Sequence, residues 1–201
     1  AMGAGLYRIN LDTKEIYRCP STANGFEYRP LSNILHNSWI NCLLCSTNDK
    51  LYIGTYDGLG CLDIPTMDFV STYEINRLLQ GDVIYALYED LHHNIWVGTS
   101  QGLKQLNPQT QKVREYTISD GLPSNSISAI EGDANGNLWI STNFGISRFN
   151  PGTQTFVNFY ASDGLQGNEF SKGVSFASTQ GEIIFGSTSG ITYFNPGEIT
   201  S

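Results

Sequence analysis

The chain has 201 residues, of which 40% are apolar, 12% aromatic and only 15% charged, a composition typical of a compact strand-rich protein rather than a disordered one. Its 11 basic and 19 acidic side chains give a formal net charge of −8, so binding to nucleic acid, which depends on cationic side chains, is not expected. No uncharged apolar stretch approaches the roughly 20 residues that a membrane-spanning helix needs, so we expect this segment to make no membrane contact.

Short strand-like runs recur along the chain at a nearly fixed interval. The runs are 51–55, 95–99, 138–142 and 183–187, and their fourth residues, at positions 54, 98, 141 and 186, are 44, 43 and 45 residues apart. Each run is followed, four residues after this fourth position, by a glycine with an aliphatic residue next to it. A proline then follows at position 65, 108, 151 or 196. Four phased markers in each of four copies indicate an internal repeat.

One copy shows what the repeating unit is. The predicted strands of this copy are 126–130, 138–142, 146–149 and 156–160. The polar cluster 133–137 between the first two strands predicts a tight turn in which Gly136 adopts a positive φ. Pro151 cannot donate to a strand ladder and therefore ends the third strand. Since no stretch with a helical period interrupts the series, the unit is predicted to be a four-stranded antiparallel sheet.

Units of this length with four strands and no helix are typical of β-propeller blades, because such a twisted sheet buries both faces only between neighbouring blades. A β-sandwich is the alternative, but its strands would not repeat their turn residues at a fixed period. We therefore predict an all-β fold, a propeller segment of about four blades that forms an incomplete ring. In chain order, this single partial propeller comprises the end of a preceding blade with an insertion (4–30, with strands at 5–10 and 15–18), three blades (31–75, 76–118 and 119–162) and a last blade without its fourth strand (163–199).

The residues of the repeat identify its family more specifically than its length does. One copy reads DGLPSNSISAI at 120–130, DANGNLWIST at 133–142 and GISRFNP at 145–151. It resembles the two-component regulator propeller repeat found in the periplasmic sensor regions of Bacteroidetes hybrid histidine kinases, and the resemblance extends over essentially residues 4–199. It implies a periplasmic, extracytoplasmic location, a parent protein that is a histidine kinase, and oligosaccharides as the ligands sensed.

Acidic and tryptophan residues at the hairpin turns recur with the repeat, which favours a structural role for them. These residues are Asp90, Asp133, Trp96 and Trp139. The segment 133–139 is also similar to the Asp-box turn of carbohydrate-active propellers, where the motif is structural too. We expect each carboxylate to accept backbone N–H groups within its turn, and each indole ring to pack between blades.

Neither the histidines nor the cysteines indicate a metal site or a cofactor. His92 and His93 are adjacent in a turn, where side chains generally point apart, whereas a metal needs three or four converging ligands. Cys42 and Cys45 lie in a predicted inner strand, and their spacing puts them on opposite faces, where they cannot form a disulfide. We interpret both as buried apolar fillers, since Cys42 aligns with Ala86.

The carboxylates give no evident catalytic set. Asp120 and Asp163 recur with the repeat, as do the turn aspartates, and a residue that recurs in every blade usually serves the blade. Glu131 and Glu169 do not recur, but a lone carboxylate does not supply the acid and base that hydrolysis needs. We therefore expect a noncatalytic ligand-sensing segment; the alternatives are a fragment of a glycan-active propeller enzyme and a protein-interaction scaffold.

Loops that differ between copies are the candidate binding surface. In a propeller, the loops joining the second and third strands and those linking successive blades open on the same face around the channel. Aromatic rings flanked by amides and carboxylates suit stacking and hydrogen bonding to a sugar. The candidate ligand-binding residues on these loops are Trp39, Tyr56, Asp57, Gln101, Asn125, Asn143, Phe144 and Asn168.

An incomplete ring also predicts a partner. The last blade lacks a fourth strand while the amino-terminal segment 15–18 offers one, and an apolar blade face is left bare at each end. Two chains arranged head to tail would complete each other's blades and close a ring of about eight blades. We therefore expect a homodimer that closes the propeller.

Overall fold

The computed structural model describes residues 6–9, 16–19, 39–66, 70, 79 and 81–199. Within these residues the chain is built from β-strands that pair antiparallel and are joined by turns and short 3-10 segments, so the prediction of an all-β chain is confirmed. No helix in the described residues has the length and apolarity to span a membrane.

The strands follow one another with short connections through most of the described chain. They are β1 (Leu6–Ile9), β2 (Ile16–Cys19), β3 (Ile40–Cys45), β4 (Lys50–Thr55), β5 (Gly58–Asp63), β6 (Ile84–Glu89), β7 (Ile95–Thr99), β8 (Leu103–Asn107), β9 (Lys112–Tyr116), β10 (Ile127–Gly132), β11 (Leu138–Thr142), β12 (Gly145–Asn150), β13 (Thr155–Phe159), β14 (Phe170–Ala177), β15 (Ile183–Ser187) and β16 (Gly190–Phe194). In every sheet, strands that are neighbours in sequence are also neighbours in space.

The chain divides into two compact units, residues 1–83 and 84–201. The first unit holds the two-stranded sheet β1–β2 and the three-stranded sheet β3–β4–β5. The second holds the four-stranded sheets β6 to β9 and β10 to β13 and the three-stranded sheet β14 to β16. Each sheet lies within one of the predicted residue ranges, and the described part of the last sheet has three strands. Most of the predicted insertion, and all but Val70 of the residues that would form a fourth strand after β5, lie outside the described residues.

The hairpin turn of Asp133 shows how one side chain orders a repeat. Its Oδ1 accepts hydrogen bonds from the backbone N–H groups of Asn135 (2.9 Å) and Asn137 (3.0 Å), and its Oδ2 accepts one from Nε1 of Trp139 (3.0 Å). Gly136 has a φ of 77°, as the turn predicted. Asp133 therefore closes the β10–β11 turn and also provides the acceptor for a buried indole N–H.

The same turn recurs in the other sheets with different residues. Asp90 accepts a hydrogen bond from Nε1 of Trp96 (2.8 Å) as well as from the backbone of its own turn. Ser46 and Ser178 occupy the aspartate position elsewhere, and their hydroxyls accept backbone N–H bonds from Lys50 and from Gln180 and Glu182. The structural role predicted for the recurring turn residues is confirmed.

Trp96 and Trp139 are each buried between their own sheet and the next one. Trp96 packs edge-to-face on Phe149 of the following sheet, with ring centroids 5.5 Å apart, and Trp139 contacts Phe194 of the last sheet at 4.6 Å. Both indoles are at most 1% exposed. Such aromatic pairs contribute about 0.5–1.5 kcal/mol beyond the burial of apolar area, so these rings hold consecutive sheets together.

Gly98, the fourth residue of β7, has no side chain because the next sheet comes close to it. A Cβ added to Gly98 would lie 2.6 Å from Cγ2 of Ile127 on β10, which is closer than side-chain atoms tolerate. The equivalent residue of β11 is a serine, Ser141, which is fully buried and whose hydroxyl has no hydrogen-bond partner among the described residues. Ser128, one strand away, is equally buried, but its hydroxyl donates to the carbonyl oxygen of Phe170 (2.9 Å).

The cysteines correct one expectation. β3 alternates between half-buried and exposed positions, so Cys42 is half-buried while Cys45 is exposed. The prediction that both are buried fillers is therefore wrong for Cys45. Only one face of β3 is covered by the rest of the protein, and Cys45 lies on the other face. Burial raises the pKa of Cys42 to about 12 and that of the buried Cys61 to about 11, so both thiols stay protonated at neutral pH.

The two buried serines generate a paired prediction. Ser141→Ala removes an unsatisfied buried hydroxyl, and we expect it to raise the free energy of unfolding by about 1 kcal/mol. Ser128→Ala removes a donor from a buried carbonyl, and we expect it to lower the free energy of unfolding by about 1–3 kcal/mol. Urea unfolding followed by tryptophan fluorescence measures both. Equal effects of the two substitutions would contradict this assignment.

Candidate ligand-binding loops

The loops that join the second and third strands share one construction. In each, the hydroxyl of the last strand residue accepts a hydrogen bond from the N–H two residues later and donates to a glycine carbonyl three residues later. For Thr142 these bonds reach Phe144 (2.9 Å) and Gly145 (3.0 Å). Thr55, Thr99 and Ser187 make the same two bonds. Because the hydroxyl satisfies the turn backbone, the two tip residues are free to differ between copies.

In the unit of residues 1–83, two predicted residues form an exposed aromatic pair. The rings of Trp39 and Tyr56 meet edge-to-face at 5.7 Å and are 55% and 45% exposed. The Tyr56 N–H donates to the carbonyl oxygen of Trp39, which fixes the pair. The carboxylate of Asp57 accepts a hydrogen bond from the N–H of Gly81 (2.9 Å), which links the β4–β5 turn to the residues before β6.

In the unit of residues 84–201, Phe144 is the exposed aromatic residue. Its ring is 53% exposed and lies 5.7 Å from that of Tyr160, which follows β13. The side-chain oxygen of Asn143 beside it accepts a hydrogen bond from the Ser124 hydroxyl. Sequence reasoning missed Tyr160 and Ser124, because only the pairing of β12 with β13 and the return of the chain to β10 bring them to this loop.

Backbone bonds bring two further predicted residues next to Phe144. The N–H of Asn143 donates to the carbonyl oxygen of Ser126, the neighbour of Asn125, and the N–H of Gly145 donates to the carbonyl oxygen of Asn168 (2.7 Å). Asn125, Asn143, Phe144 and Asn168 therefore gather in one place, which we call the Phe144 cluster. Gln101 is exposed on the corresponding loop of the neighbouring sheet and is not bonded to this cluster.

Two of these asparagines also carry structural bonds. The side-chain oxygens of Asn125 and Asn168 accept from the N–H groups of Ile118 (2.9 Å) and Ala161 (2.8 Å) in equivalent turns. The amide NH₂ groups of both side chains are the parts left for a ligand.

The recurring carboxylates of the interblade turns are engaged in the same way. The carboxylate of Asp120 accepts from the Thr117 N–H, and that of Asp163 accepts from the Tyr160 N–H, both at 2.8 Å. These carboxylates therefore hold the turns that position the cluster.

Glu131 differs electrostatically from the recurring carboxylates. It lies on β10, and burial raises its pKa, against a smaller opposing effect of a hydrogen bond from Ser175 on β14. Burial likewise raises the pKa of Tyr88 on β6, and the charge of Glu131 adds to this rise. The charges of Asp90 and Asp133 raise the pKa of Tyr88 as well, so three carboxylates act on this one phenol. Among the described residues, no three His, Cys, Asp or Glu side chains lie close enough to share a metal ion.

One family model matches part of the chain, and solved structures match almost all of it. Residues 121–144 match the family model described as "two component regulator propeller". No curated protein matches the chain. Among solved structures, it is similar to the extracellular domain of a hybrid two-component system from B. thetaiotaomicron, with 26% identity and a TM-score of 0.80 over 96% of this chain and 25% of that one.

Two further structures share the fold. The extracellular domain of a one-component system from B. thetaiotaomicron has 22% identity and a TM-score of 0.71 over 94% of this chain and 24% of its own. Virginiamycin B lyase from Staphylococcus aureus has 18% identity and a TM-score of 0.61 over 94% of this chain and 62% of its own. The chain thus spans about a quarter of the length of the two Bacteroides proteins. The β-propeller fold and the two-component regulator propeller repeat predicted from the sequence are confirmed, and the chain is similar to the extracellular domain of a hybrid two-component system from B. thetaiotaomicron.

Proposed function

We propose that the chain is a noncatalytic, ligand-sensing propeller segment of a two-component sensor, that it lies in the periplasm, and that its ligand is an oligosaccharide. The observation that carries the proposal is the Phe144 cluster, an exposed ring flanked by amide groups on loops whose backbone is already satisfied. Sugar rings present C–H groups to aromatic faces and hydroxyls to amides, so the cluster matches this chemistry.

The loops around the Phe144 cluster are held in place by hydrogen bonds, which favours ligand binding. The hydroxyl of Thr142 and the carboxylates of the flanking turns hold the backbone before any ligand arrives. Ligand binding therefore costs less free energy for ordering the protein. The exposed pair of Trp39 and Tyr56 offers the same chemistry in the unit of residues 1–83.

A signal requires the ligand to prefer one arrangement of the protein over another. The Phe144 cluster combines loops of two successive sheets, linked by the bond from Gly145 N–H to the Asn168 carbonyl (2.7 Å). A sugar that contacts both loops would stabilise one relative position of the two sheets. The effect on the parent sensor follows from that difference in affinity.

A glycan-active enzyme is the second candidate, and Glu131 is the observation in its favour. A carboxyl group with a raised pKa is what a general acid needs. The recurring aspartates, however, accept hydrogen bonds from backbone N–H groups and indoles, and burial is the main cause of the raised pKa of Glu131. The sensing function is therefore better supported.

The last sheet supports the proposal of a homodimer. Phe176, Ile184 and Tyr193 pair across β14, β15 and β16 and so share one face, on which Phe176 is 60% and Tyr193 57% exposed. Ile184 stands at the repeat position of Trp139, which in the preceding sheet is covered by the next sheet. We propose that a sheet of a second copy covers this face.

We predict that Phe144→Ala and Tyr56→Ala weaken oligosaccharide binding while leaving the melting temperature nearly unchanged. Lost stacking costs about 0.5–1.5 kcal/mol, or up to roughly tenfold in affinity. Calorimetry with malto-, xylo- and chito-oligosaccharides measures the affinity, with exposed Gln109→Ala as control. Undiminished affinity in both variants would remove these rings from the site, and sustained release of reducing sugar would favour the enzyme instead.

Glu131→Gln is predicted to change how stability depends on pH. The folded chain binds the Glu131 proton more tightly than the unfolded chain, so stability is lost as the pH rises from the unfolded to the folded pKa. The variant, neutral at every pH, should be more stable than the wild type near pH ~7 and should lose this advantage near pH ~4. Urea unfolding at both values tests this, and a difference independent of pH would contradict it.

Tyr193→Glu is predicted to convert a dimer into a monomer, because it places a charge in the proposed interface. Light scattering of the wild type at micromolar concentration should report the mass of two chains, and the variant that of one. Leu91→Glu, at an exposed turn away from this face, is the control and should stay dimeric. A stable wild-type monomer would refute the homodimer.

A further inference from the structure

A groove of about 350 Å³ lies at the opposite end of the strands from the Phe144 cluster. It runs between the β6–β7 turn and the two loops of the following sheet that join β10 to β11 and β12 to β13. Its volume falls within the range of about 300–1,000 Å³ that small ligands occupy in proteins. The lining residues are Asp90, Leu91, His92, Asn94, Gln105, Asn135, Gly136, Asn150, Pro151 and Gly152.

Hydrogen bonds within the protein fix the walls of this groove. Asn150 accepts from the Gly152 N–H (2.9 Å) and donates to the side-chain oxygen of Asn137 (3.0 Å). Between the two sheets, the guanidinium of Arg114 on β9 donates to the side-chain oxygen of Gln154 (2.7 Å). The groove is therefore preformed.

Three polar side chains face the groove without a hydrogen-bond partner among the described residues. They are those of His92, Gln105 and Asn135, whereas Asp90 and Asn94 are engaged in the β6–β7 turn. An imidazole and two amides supply both donors and acceptors. Leu91, which is 73% exposed, and Pro151 add apolar surface.

This lining differs from what the repeat alone would place there. The turn positions filled by Leu91, His92 and His93 hold Ala134, Asn135 and Gly136 in the next copy. His93 takes the left-handed conformation of that glycine, with a φ of 62°, and its ring contacts Glu89 at 3.0 Å. The β6–β7 turn therefore departs from the repeat where the groove forms.

We propose that this groove binds a neutral pyranose unit of an oligosaccharide, as a second sugar site separate from the loops between second and third strands. The two amides and the imidazole would pair with ring hydroxyls, and Leu91 and Pro151 would contact the C–H face. An anionic ligand is disfavoured because no lysine or arginine lines the groove, Asp90 does, and the chain carries a formal charge of −8. The inference rests on the proposed oligosaccharide-sensing function and adds a site and a ligand class to it.

The test is an NMR titration of the full chain with cellobiose, maltose and lactose, and with glucuronate as the charged comparison. We expect a neutral disaccharide to shift the backbone amide signals of Leu91, Asn135 and Gly136. The double variant His92→Ala, Gln105→Ala should lose about tenfold in affinity, since two hydrogen bonds contribute about 1–3 kcal/mol together. Gln180→Ala changes the same turn position in the last sheet, outside the groove, and should bind as the wild type does.

The outcomes separate this inference from the proposed function. Shifts at the groove that weaken in the double variant and persist in Gln180→Ala and Phe144→Ala support it. Binding that weakens only in Phe144→Ala overturns the groove and leaves the sensing function standing. Stronger groove shifts with glucuronate overturn the neutral ligand class, and no shift with any sugar overturns both the groove and the oligosaccharide proposal.

Discussion

The hydrogen bond between a turn aspartate and a buried indole is the interaction on which residues 84–201 depend. Trp96 and Trp139 can lie between consecutive sheets only if their N–H groups find an acceptor away from water. Asp90 and Asp133 supply that acceptor at 2.8 and 3.0 Å, and the same carboxylates close the hairpins from which the indoles extend. Turn formation and sheet stacking are therefore coupled through one side chain in each of these two copies.

This coupling determines which residues remain for function. The carboxylates that recur accept hydrogen bonds from the turn backbone or from the indoles. The hydroxyls of Thr142 and its equivalents satisfy the loop backbones at the other end of the strands. Because a few side chains hold the backbone at both ends, the remaining turn residues vary without cost to the fold. The exposed Phe144 ring and the lining of the groove at Leu91 and His92 are two such variations.

Both candidate surfaces combine residues from consecutive sheets. The Phe144 cluster is closed by Asn168, which precedes β14, and the groove by Asn135 and Pro151, which belong to the sheet after β6–β9. A ligand at either place would add contacts between sheets that otherwise meet mainly through apolar packing. That arrangement is suited to sensing, because the free energy of binding then depends on how neighbouring sheets sit against each other.

The sequence by itself determined the repeat, the strands, the all-β propeller fold and the structural roles of Asp133 and Trp139, because these depend on short-range periodicity and on turns of a few residues. It also located the variable loops. Only the tertiary structure decided which variable residues meet. Phe144 contacts Tyr160 because β12 pairs with β13. The side-chain oxygens of Asn125 and Asn168 accept hydrogen bonds in equivalent turns. Cys45 is exposed because only one face of β3 is covered. The groove beside His92 depends on the packing of two sheets, and contacts between residues 40 or more positions apart leave no local pattern in the sequence.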